Sequence, residues 1–363
     1  MALGILGGGQ LGRMIALAAH PLGVRCRFLD PAPDACAASV GEHLVAPFDD
    51  EGALARLAEG AEAVTWEFEN VPVAALHRLG GRVPVRPGPT SLAVSQDRFE
   101  EKQAFEQAGY AVAPYHAASS LEEVRVAVER VGAPGLLKTR TGGYDGRGQA
   151  RVDSPDDAER AWRALGGAPA IYERRIAFRR ELALVGTRAE DGTIVFYAPV
   201  ETVHREGILH TARAPAPDID RATLLRAERH AAALLESLGH VGTFAIELFD
   251  DGEALLASEM AARVHNSGHW TIEGAETSQF ENHVRAALGM PLGETATRGH
   301  AVTVNLVGET PASEDVLAIP GAHLHLYGKQ PRPRRKLGHV TLRADTTDEL
   351  EDRLARLLRL LRL

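Results

Sequence analysis

Residues 136–149 read LLKTRTGGYDGRGQ, a short apolar run that leads into a loop rich in glycine. Lys138 closes the run, and Arg147 lies among the glycines. Glycine lets backbone N–H groups turn toward an anion because no Cβ obstructs them, and lysine and arginine add positive charge. The pattern therefore predicts a phosphate-binding loop after a β-strand, without the G-x-x-x-x-G-K-[ST] order of a P-loop. A flexible solvent loop is the alternative that glycines alone leave open.

Another glycine-rich stretch, GGGQLG, spans residues 7–12. In chain order it is the first glycine loop, and the loop at residues 142–148 is the second glycine loop. It follows the strand-like run Leu3–Leu6 and precedes a helical pattern, and Asp30 ends the next apolar run. In dinucleotide-binding folds, such glycines approach a pyrophosphate and such an acid binds the ribose. An NAD-dependent oxidoreductase is therefore one hypothesis. Alternating strand and helix patterns up to the predicted linker RVPVRPGPTS (residues 82–91) indicate a parallel sheet with crossover helices.

The composition narrows the class of protein. A chain of 363 residues is long enough for two or three domains. Its net charge of −9 and its 5% aromatic content argue against nucleic-acid binding, which needs a basic face and stacking platforms. The two cysteines have no metal-binding spacing, and no run resembles a signal peptide or a membrane span. These features lead us to expect a cytoplasmic protein that binds neither membranes nor nucleic acids.

The middle of the chain contains turn-bounded apolar runs that predict antiparallel strands. They are Glu181–Thr187, Thr193–Val200, Thr243–Phe249 and Ala254–Met260. Glu247 and Glu259 lie within the last two runs, where a carboxylate is costly to bury unless it is paired or binds a metal. Two acids on neighbouring strands suit Mg²⁺, which takes a few carboxylates together with nucleotide phosphates. A solvent-facing position for both acids remains open, because the strand register cannot be fixed from spacing.

Two polar clusters follow. Residues 261–270, AARVHNSGHW, concentrate hydrogen-bond donors around Gly268, which favours a site for a small oxyanion over a helical metal site built from His265 and His269. Residues 327–339, YGKQPRPRRKLGH, form a basic patch in an acidic chain. This patch predicts either a phosphate clamp or a solvated basic loop. The overall pattern is α/β at the front, α+β in the middle and a small α+β tail.

Five motifs together resemble one enzyme family. They are GGGQLGRM (7–14), RTGGYDGRGQ (140–149), RVHNSGHWT (263–271), SQFENHVRA (278–286) and RRKLGH (334–339). The chain is similar over almost its whole length to the N5-carboxyaminoimidazole ribonucleotide synthetases, which are ATP-grasp enzymes of purine biosynthesis. The resemblance implies an ATP-grasp fold with a Rossmann-like N-terminal domain that binds no dinucleotide and a small C-terminal α+β domain. The implied boundaries are 1–96, 97–288 and 289–363.

The resemblance also implies the reaction. ATP, bicarbonate and aminoimidazole ribonucleotide would give the N5-carboxylated ribonucleotide, ADP and phosphate through carboxyphosphate, with Mg²⁺ as the metal and a homodimer as the assembly. A formate-dependent glycinamide ribonucleotide transformylase is the alternative within the same fold. The oxidoreductase and a nucleotide-binding regulator without catalysis are alternatives from other classes.

Roles for individual residues follow from the resemblance alone. Residues expected to contact ATP are Arg98, Lys138, Gly143, Tyr144, Asp145, Gly146, Arg147, Gly148, Gln149, Glu173, Arg174, Arg175, Ile176, Glu181, His204, Ser258 and Glu259. Glu247 and Glu259 would hold Mg²⁺, and Arg263, His265 and Asn266 would hold bicarbonate and its phosphorylated form. The ribonucleotide would contact Tyr144, Asp145, Arg147, Lys329 and Arg335. The chain departs from the family at Ser258, usually asparagine, and at Ala262, usually proline.

Overall fold

The computed structural model describes residues 1–143 and 148–362. Its strands are β1 (Ala2–Leu6), β2 (Arg25–Leu29), β3 (Glu42–Leu44), β4 (Ala63–Trp66), β5 (Ala111–Val112), β6 (Tyr115–Ala118), β7 (Gly135–Thr139), β8 (Gln149–Val152), β9 (Ala170–Arg174), β10 (Arg180–Arg188), β11 (Ile194–Phe196), β12 (Val200–Arg205), β13 (Ile208–Ala214), β14 (Gly242–Asp250), β15 (Leu255–Ala261), β16 (His300–Val307), β17 (Ala322–Leu326) and β18 (Lys336–Ala344). Its α-helices are α1 (Gln10–Ala19), α2 (Glu51–Ala58), α3 (Val73–Gly80), α4 (Pro89–Gln96), α5 (Arg98–Gln107), α6 (Leu121–Val131), α7 (Ala158–Ala164), α8 (Arg221–Ser237), α9 (Thr271–Gly274), α10 (Gln279–Ala287), α11 (Ser313–Leu317) and α12 (Thr347–Leu360).

The N-terminal sheet has the order β3-β2-β1-β4, and all its strands are parallel. Strands β1 and β4 are almost entirely buried, as expected when helices cover both faces of the sheet. The carboxyl ends of parallel strands meet at one edge, which places the residues after β1, β2 and β4 side by side. The prediction of a parallel α/β front is confirmed.

The predicted linker at residues 82–91 is only partly a linker. Val85 forms a parallel bridge with Val64, so this segment extends the N-terminal sheet beyond β4. Helix α4 then begins at Pro89, a residue that suits the first turn of a helix because its missing N–H would have no partner there. Proline and glycine content correctly indicated irregular backbone but could not reveal the bridge.

A small antiparallel sheet, with the order β6-β9-β7-β8, carries the second glycine loop between β7 and β8. Helices α6 and α7 cover this sheet with a small cluster of aliphatic side chains. Ser120 begins α6 by accepting a hydrogen bond from the backbone N–H of Glu123 at 3.2 Å. Lys138 therefore lies on a strand with its own small core, next to the start of the loop.

The large sheet has the order β17-β18-β16-β13-β12-β10-β14-β15-β5, with β11 paired to β10. Its pairs are antiparallel except for β15 with β5. The predicted strand Thr193–Val200 is interrupted: β11 ends at Phe196, and β12 begins at Val200 after Pro199, which has no N–H for a ladder. The hairpin of β12 and β13 was not predicted, and it turns at Glu206 and Gly207, both with positive φ.

The large sheet continues past the predicted domain boundary at residue 289. Strand β16 pairs with β13, and β18 pairs with both β16 and β17, so the C-terminal strands extend the sheet of the middle region. Helix α12 packs on β18 and starts where the side chain of Thr346 accepts from the N–H of Glu349. The C-terminal region is thus α+β, as expected, but it has no separate sheet of its own in the described part of the chain.

Helix α10 joins the N-terminal region to the large sheet. Phe280 and Val284 of α10 pack with Met14 and Ile15 of α1 in one cluster. On its other side, the buried ring of His283 bonds to Thr65 Oγ1 at 2.7 Å and accepts from the N–H of Thr243 at 3.1 Å. Across the described ranges, no helix is both long and apolar enough to span a membrane.

Candidate active site

A cavity of about 840 Å³ lies where the three sheets meet. Its first wall is the carboxyl edge of the N-terminal sheet, where the residues after β1, β2 and β4 lie side by side. This wall includes Gly9 and Gln10 after β1, Asp30 after β2, and Glu67 and Glu69 after β4. The cavity is therefore at the edge where ligands of open α/β sheets bind.

Two N–H groups of the first glycine loop are already bound to acidic side chains. Gly8 N donates to Asp30 Oδ2, and Gly9 N donates to Glu67 Oε1, both at 2.7 Å. A Cβ built on Gly9 would stand 2.7 Å from Glu67 Oε1, so any side chain here would have to displace this carboxylate. Two acids bound to the loop would repel a pyrophosphate. The geometry argues against the NAD hypothesis.

Two carboxylates from the large sheet form the second wall. In the pairing of β14 with β15, Glu247 lies directly opposite Glu259, and both line the cavity. Both acids therefore face the open cavity, where the side chain of Glu259 is 49% exposed and that of Glu247 is 27% exposed. A bulge follows immediately, because Leu248 pairs with Ala257 and leaves Ser258 as an extra residue on β15. Burial raises the pKa of Glu247 to about 7, against the opposing effect of nearby His204.

Cations lie beside these acids. Arg98 Nη1 is 3.4 Å from Glu259 Oε1. Lys138 Nζ donates to Glu173 Oε2 at 3.1 Å, and Lys102 Nζ lies 3.5 Å from the same oxygen. Burial would raise the pKa of Glu173, but the two lysines outweigh it and hold that pKa at about 2. Arg98 and Lys138 both line the cavity, so this end can attract an anion of several charges.

A carboxylate–imidazole pair lies further along the same wall. His204 Nδ1 and Glu181 Oε2 are 2.7 Å apart, and both residues line the cavity. Burial lowers the pKa of His204, but Glu181 and Glu247 outweigh this effect and raise it above its usual value. The pair offers a hydrogen-bond acceptor and donor to a neutral polar group such as a sugar hydroxyl.

The segment after β15 is held from several sides. Gln279 brackets His265, accepting from its N–H at 3.0 Å and donating to its carbonyl at 2.6 Å. His265 Nδ1 accepts from the N–H of Ser267, and burial lowers the pKa of His265 well below its usual value. Arg263 Nη2 donates to Glu69 Oε2 at 3.0 Å. The ring of His265 is therefore neutral and fixed in orientation.

Unused hydrogen-bonding atoms occur in this same segment. The side-chain amide of Asn266 is buried, and within the described residues neither its nitrogen nor its oxygen has a partner. Arg263 Nε is also buried without a partner in the described chain. Buried polar atoms normally have partners, so these atoms, which belong to residues lining the cavity, indicate a site for a small polar ligand.

Only some of the charged side chains of the basic patch line the cavity. Lys329 lines the cavity and donates to Gln10 Oε1, which links the C-terminal region to the first glycine loop. Lys336 lines it as well. The guanidinium of Arg335 instead donates to the carbonyl of Gln330 at 3.2 Å, and Arg335 is not among the residues that line this cavity.

Known protein families match three successive parts of the chain. Residues 1–96 match the ribonucleotide synthetase preATP-grasp domain, and residues 103–280 match the ATP-grasp domain. Residues 301–353 match the phosphoribosylaminoimidazole carboxylase C-terminal domain. An N5-carboxyaminoimidazole ribonucleotide synthase of Pseudomonas aeruginosa is 45% identical over 355 residues, covering 98% of each protein.

The chain belongs to the N5-carboxyaminoimidazole ribonucleotide synthetase family. The synthetase of Thermus thermophilus matches with a TM-score of 0.95 at 53% identity, covering 99% of this chain and 98% of that one. The enzyme of Aspergillus clavatus in complex with ADP and 5-aminoimidazole ribonucleotide matches with a TM-score of 0.91 at 32% identity, covering 99% and 98%. The predicted ATP-grasp fold and the family resemblance are confirmed.

Most residues assigned from this synthetase family come together around the cavity. Those that line it are Arg98, Lys138, Gly143, Gly148, Gln149, Glu181, His204, Glu247, Ser258, Glu259, Arg263, His265, Asn266 and Lys329. Those that do not are Glu173, which is buried beside Lys138, and Arg174, Arg175, Ile176 and Arg335. Tyr144, Asp145, Gly146 and Arg147 lie outside the described residues.

Several residues of this site were not assigned from the sequence. Glu67 and Glu69 directly follow β4, so acids after a predicted parallel strand were the available signal. His269 and Lys336 lie within the predicted donor cluster and basic patch, but neither was given a substrate-binding role. Nothing in the local pattern pointed to Gln279, since its contacts with His265 cross from a helix to a loop.

Proposed function

We propose that this chain carboxylates 5-aminoimidazole ribonucleotide with bicarbonate and ATP, giving N5-carboxyaminoimidazole ribonucleotide, ADP and phosphate. One observation carries the proposal: cations and paired acids suited to a nucleotide lie in the same cavity as Lys329 and the unpaired amide of Asn266. Three ligands of different chemistry could therefore meet in one enclosed space. The family to which the chain belongs supports the same reaction.

For the nucleotide, we assign phosphate contacts to Arg98 and Lys138. The resemblance adds residues 143–149, of which 144–147 lie outside the described residues. The pair of Glu181 and His204 suits the ribose hydroxyls, because carboxylate and imidazole can each bond a hydroxyl. Residues 173–176 would line the adenine pocket, an assignment that rests on the resemblance alone because they do not line the described cavity.

The paired acids fit Mg²⁺. Glu247 and Glu259 offer hard oxygen ligands on neighbouring strands, the ligand type that Mg²⁺ takes together with nucleotide phosphates. When bound, Mg²⁺ supplies positive charge that offsets the charge of the transferring phosphoryl group. Arg98, at 3.4 Å from Glu259, adds charge on the same side.

Bicarbonate would lie against the segment of Arg263, His265 and Asn266. The amide of Asn266 can donate to one bicarbonate oxygen and accept from its hydroxyl, and Arg263 adds charge. Glu69 fixes the Arg263 guanidinium from the N-terminal wall. Carboxyphosphate formed here is short-lived in water, so residues that enclose the cavity also protect the intermediate.

The ribonucleotide would take the wall opposite the nucleotide. Lys329 offers charge to its 5′-phosphate, and the resemblance adds Arg335, Tyr144, Asp145 and Arg147. We further propose a cytoplasmic homodimer, again from the family resemblance. Light scattering on the purified chain would test the dimer.

The deciding experiment measures ADP release by the purified chain with Mg²⁺ and ATP. We expect release to rise when bicarbonate and aminoimidazole ribonucleotide are both present, with label from bicarbonate entering the ribonucleotide. Replacing them with formate and glycinamide ribonucleotide tests the transformylase alternative. ATP turnover that ignores aminoimidazole ribonucleotide would refute the proposed substrate.

A further inference from the structure

Strand β15 lacks a neighbouring strand on one side of its backbone beside Glu259. On one side it pairs with β14, interrupted by the bulge at Ser258. On the other side it pairs with β5 only at Leu256 and Ala257. The backbone from Ser258 onward therefore has no strand neighbour on that side among the described residues. A buried strand edge needs other partners for its N–H and C=O groups.

Helix α5 supplies those partners through two adjacent side chains. Glu101 Oε1 accepts from the N–H of Met260 at 2.6 Å. Lys102 Nζ donates to the carbonyl of Ser258 at 2.7 Å and lies 3.4 Å from that of Ala257. One acceptor and one donor thus replace a missing strand on either side of Glu259.

Both side chains are buried, Glu101 at 2% and Lys102 at 1% exposure. Adjacent buried charges are costly, and they persist when specific hydrogen bonds need them. Lys102 is also balanced by Glu173, 3.5 Å from its Nζ. Arg98, on the same helix, reaches the side chain of Glu259. Three residues of α5 thereby contact three successive residues of β15.

We propose that Glu101 and Lys102 are positioning residues that hold the β15 bulge in the shape that presents Glu259 to a divalent cation. This inference rests on the proposed function only in taking Glu259 as a metal ligand. Neither side chain needs to touch the metal or the nucleotide, because the backbone of Ser258 and Met260 transmits their effect.

The test uses four variants of the full chain. Glu101→Leu removes the acceptor, whereas Glu101→Gln keeps an acceptor at the same place without the charge. Lys102→Met removes the donor at similar length and leaves Glu173 paired with Lys138. Glu100→Leu is the control, because Glu100 is the preceding residue of the same helix and its side chain is exposed. Circular dichroism and thermal melting establish that each variant is folded.

The readout is Mn²⁺ binding in the presence of ADP, followed by the electron paramagnetic resonance signal of free Mn²⁺. Residues that support metal ligands typically change metal affinity by about 10–100-fold when they are replaced. We expect that range of weakening for Glu101→Leu and Lys102→Met, with metal-free ADP affinity unchanged. Glu101→Gln and Glu100→Leu should bind Mn²⁺ as the wild type does.

Folded Glu101→Leu and Lys102→Met variants with wild-type Mn²⁺ affinity would overturn the proposal. If Glu101→Leu does not fold, the Mn²⁺ affinity of Glu101→Gln still tests the role of Glu101. A large change in its Mn²⁺ affinity would mean that charge, and not the hydrogen bond to Met260, is what matters. The proposed function fails separately: a wild type that binds Mn²⁺ with ADP but yields no carboxylated ribonucleotide keeps the positioning role and loses the substrate.

Discussion

Ser258, where the resemblance leads us to expect asparagine, lies beside a proposed metal ligand. It is the extra residue of the β15 bulge, and its carbonyl is already engaged by Lys102. A serine hydroxyl is a weaker metal ligand than an asparagine carbonyl, and Mg²⁺ readily keeps water in place of protein ligands. We therefore expect the metal site to tolerate loss of the Ser258 side chain but not loss of the Glu259 carboxylate.

We predict that Ser258→Ala lowers kcat less than tenfold, since a neutral hydrogen bond contributes about 0.5–1.5 kcal/mol. Glu259→Gln should abolish turnover, because it removes charge that holds the metal. The measurement is kcat as a function of Mg²⁺ concentration for both variants. A Ser258→Ala enzyme as inactive as Glu259→Gln would show that the hydroxyl has a role in the metal site.

Lys329 should matter for one substrate only. Its amino group bonds to Gln10 at the N-terminal wall, away from the paired acids. A lost charge-assisted hydrogen bond costs about 1.5–3 kcal/mol, so Lys329→Ala should raise KM for the ribonucleotide about ten- to a hundredfold. KM for ATP should stay near wild type. Arg332→Ala, an exposed change in the same basic patch, is the control. A shift confined to ATP would place Lys329 in the nucleotide site.

At the scale of elements, the residue types of the site were easier to predict from the sequence than the strand register that brings those residues together. Glu247 and Glu259 were identifiable as costly acids in apolar runs, but their direct opposition depends on a pairing that one residue of slip would reverse. Arg335 and Lys336 differ for another reason. Arg335 ends the turn before β18 and its guanidinium donates to the carbonyl of Gln330, whereas Lys336 begins the strand and lines the cavity.

Helix α10 illustrates an element whose limits were predictable and whose contacts were not. Ser278 caps it as the sequence indicated, accepting from the N–H of Glu281 at 3.1 Å, and Gly289 follows with a φ of +68°. Its first residue, Gln279, is fully buried and holds both backbone groups of His265. No local pattern encodes that contact, because it joins a helix to a loop.

Gln279→Leu should therefore damage the site through the helix. It leaves the N–H of His265 without a partner and removes one of two hydrogen bonds to its carbonyl, which still accepts from the N–H of Gly268. An unpaired buried N–H costs about 1–3 kcal/mol. We expect lower stability in urea denaturation and a higher KM for bicarbonate, with KM for ATP less affected. Gln107→Leu, at the exposed end of α5, is the matched control. If Gln279→Leu is destabilised but its KM for bicarbonate is unchanged, Gln279 contributes to packing and not to the bicarbonate site.

At the scale of the whole molecule, the regions are joined by neutral buried histidines. His283 bonds across from Thr65 to Thr243, and His240 bonds to Ser91 Oγ at 3.1 Å. Burial lowers the pKa of His283 to about 3 and that of His240 to about 4. The unfolded chain takes up these protons near pH 6.5, whereas the folded chain does not.

The free energy of unfolding should consequently be unaffected by these groups above pH 6.5 and should fall as pH drops from 6.5 toward 4. Each histidine contributes a slope of up to about 1.4 kcal/mol per pH unit. Chemical denaturation at several pH values measures this slope. His283→Gln should make the slope shallower, whereas His323→Gln, at an exposed position, should not. Equal slopes for His283→Gln and the wild type would contradict the assignment.

The overall architecture was predictable to the level of fold class and family, but not of sheet connectivity. Alternating patterns identified the parallel N-terminal sheet, and motifs identified the ATP-grasp region. The pairing of β13 with β16 could not be foreseen, because it joins residues about Thr211 to residues about Val304 through backbone groups that carry no sequence signal. The C-terminal strands consequently belong to the same sheet as the strands that carry Glu247 and Glu259.

The packing of α10 against α1 has a consequence for synthesis on the ribosome. The strands of the N-terminal sheet have all been made once Trp66 is added, yet Phe280 and Val284, which cover Met14 and Ile15, are among later residues to emerge. Through the translation of the entire middle region, the nascent chain carries an uncovered apolar surface at its leading end. A chaperone or a neighbouring nascent chain competes for this surface during that interval and not after the enzyme has folded.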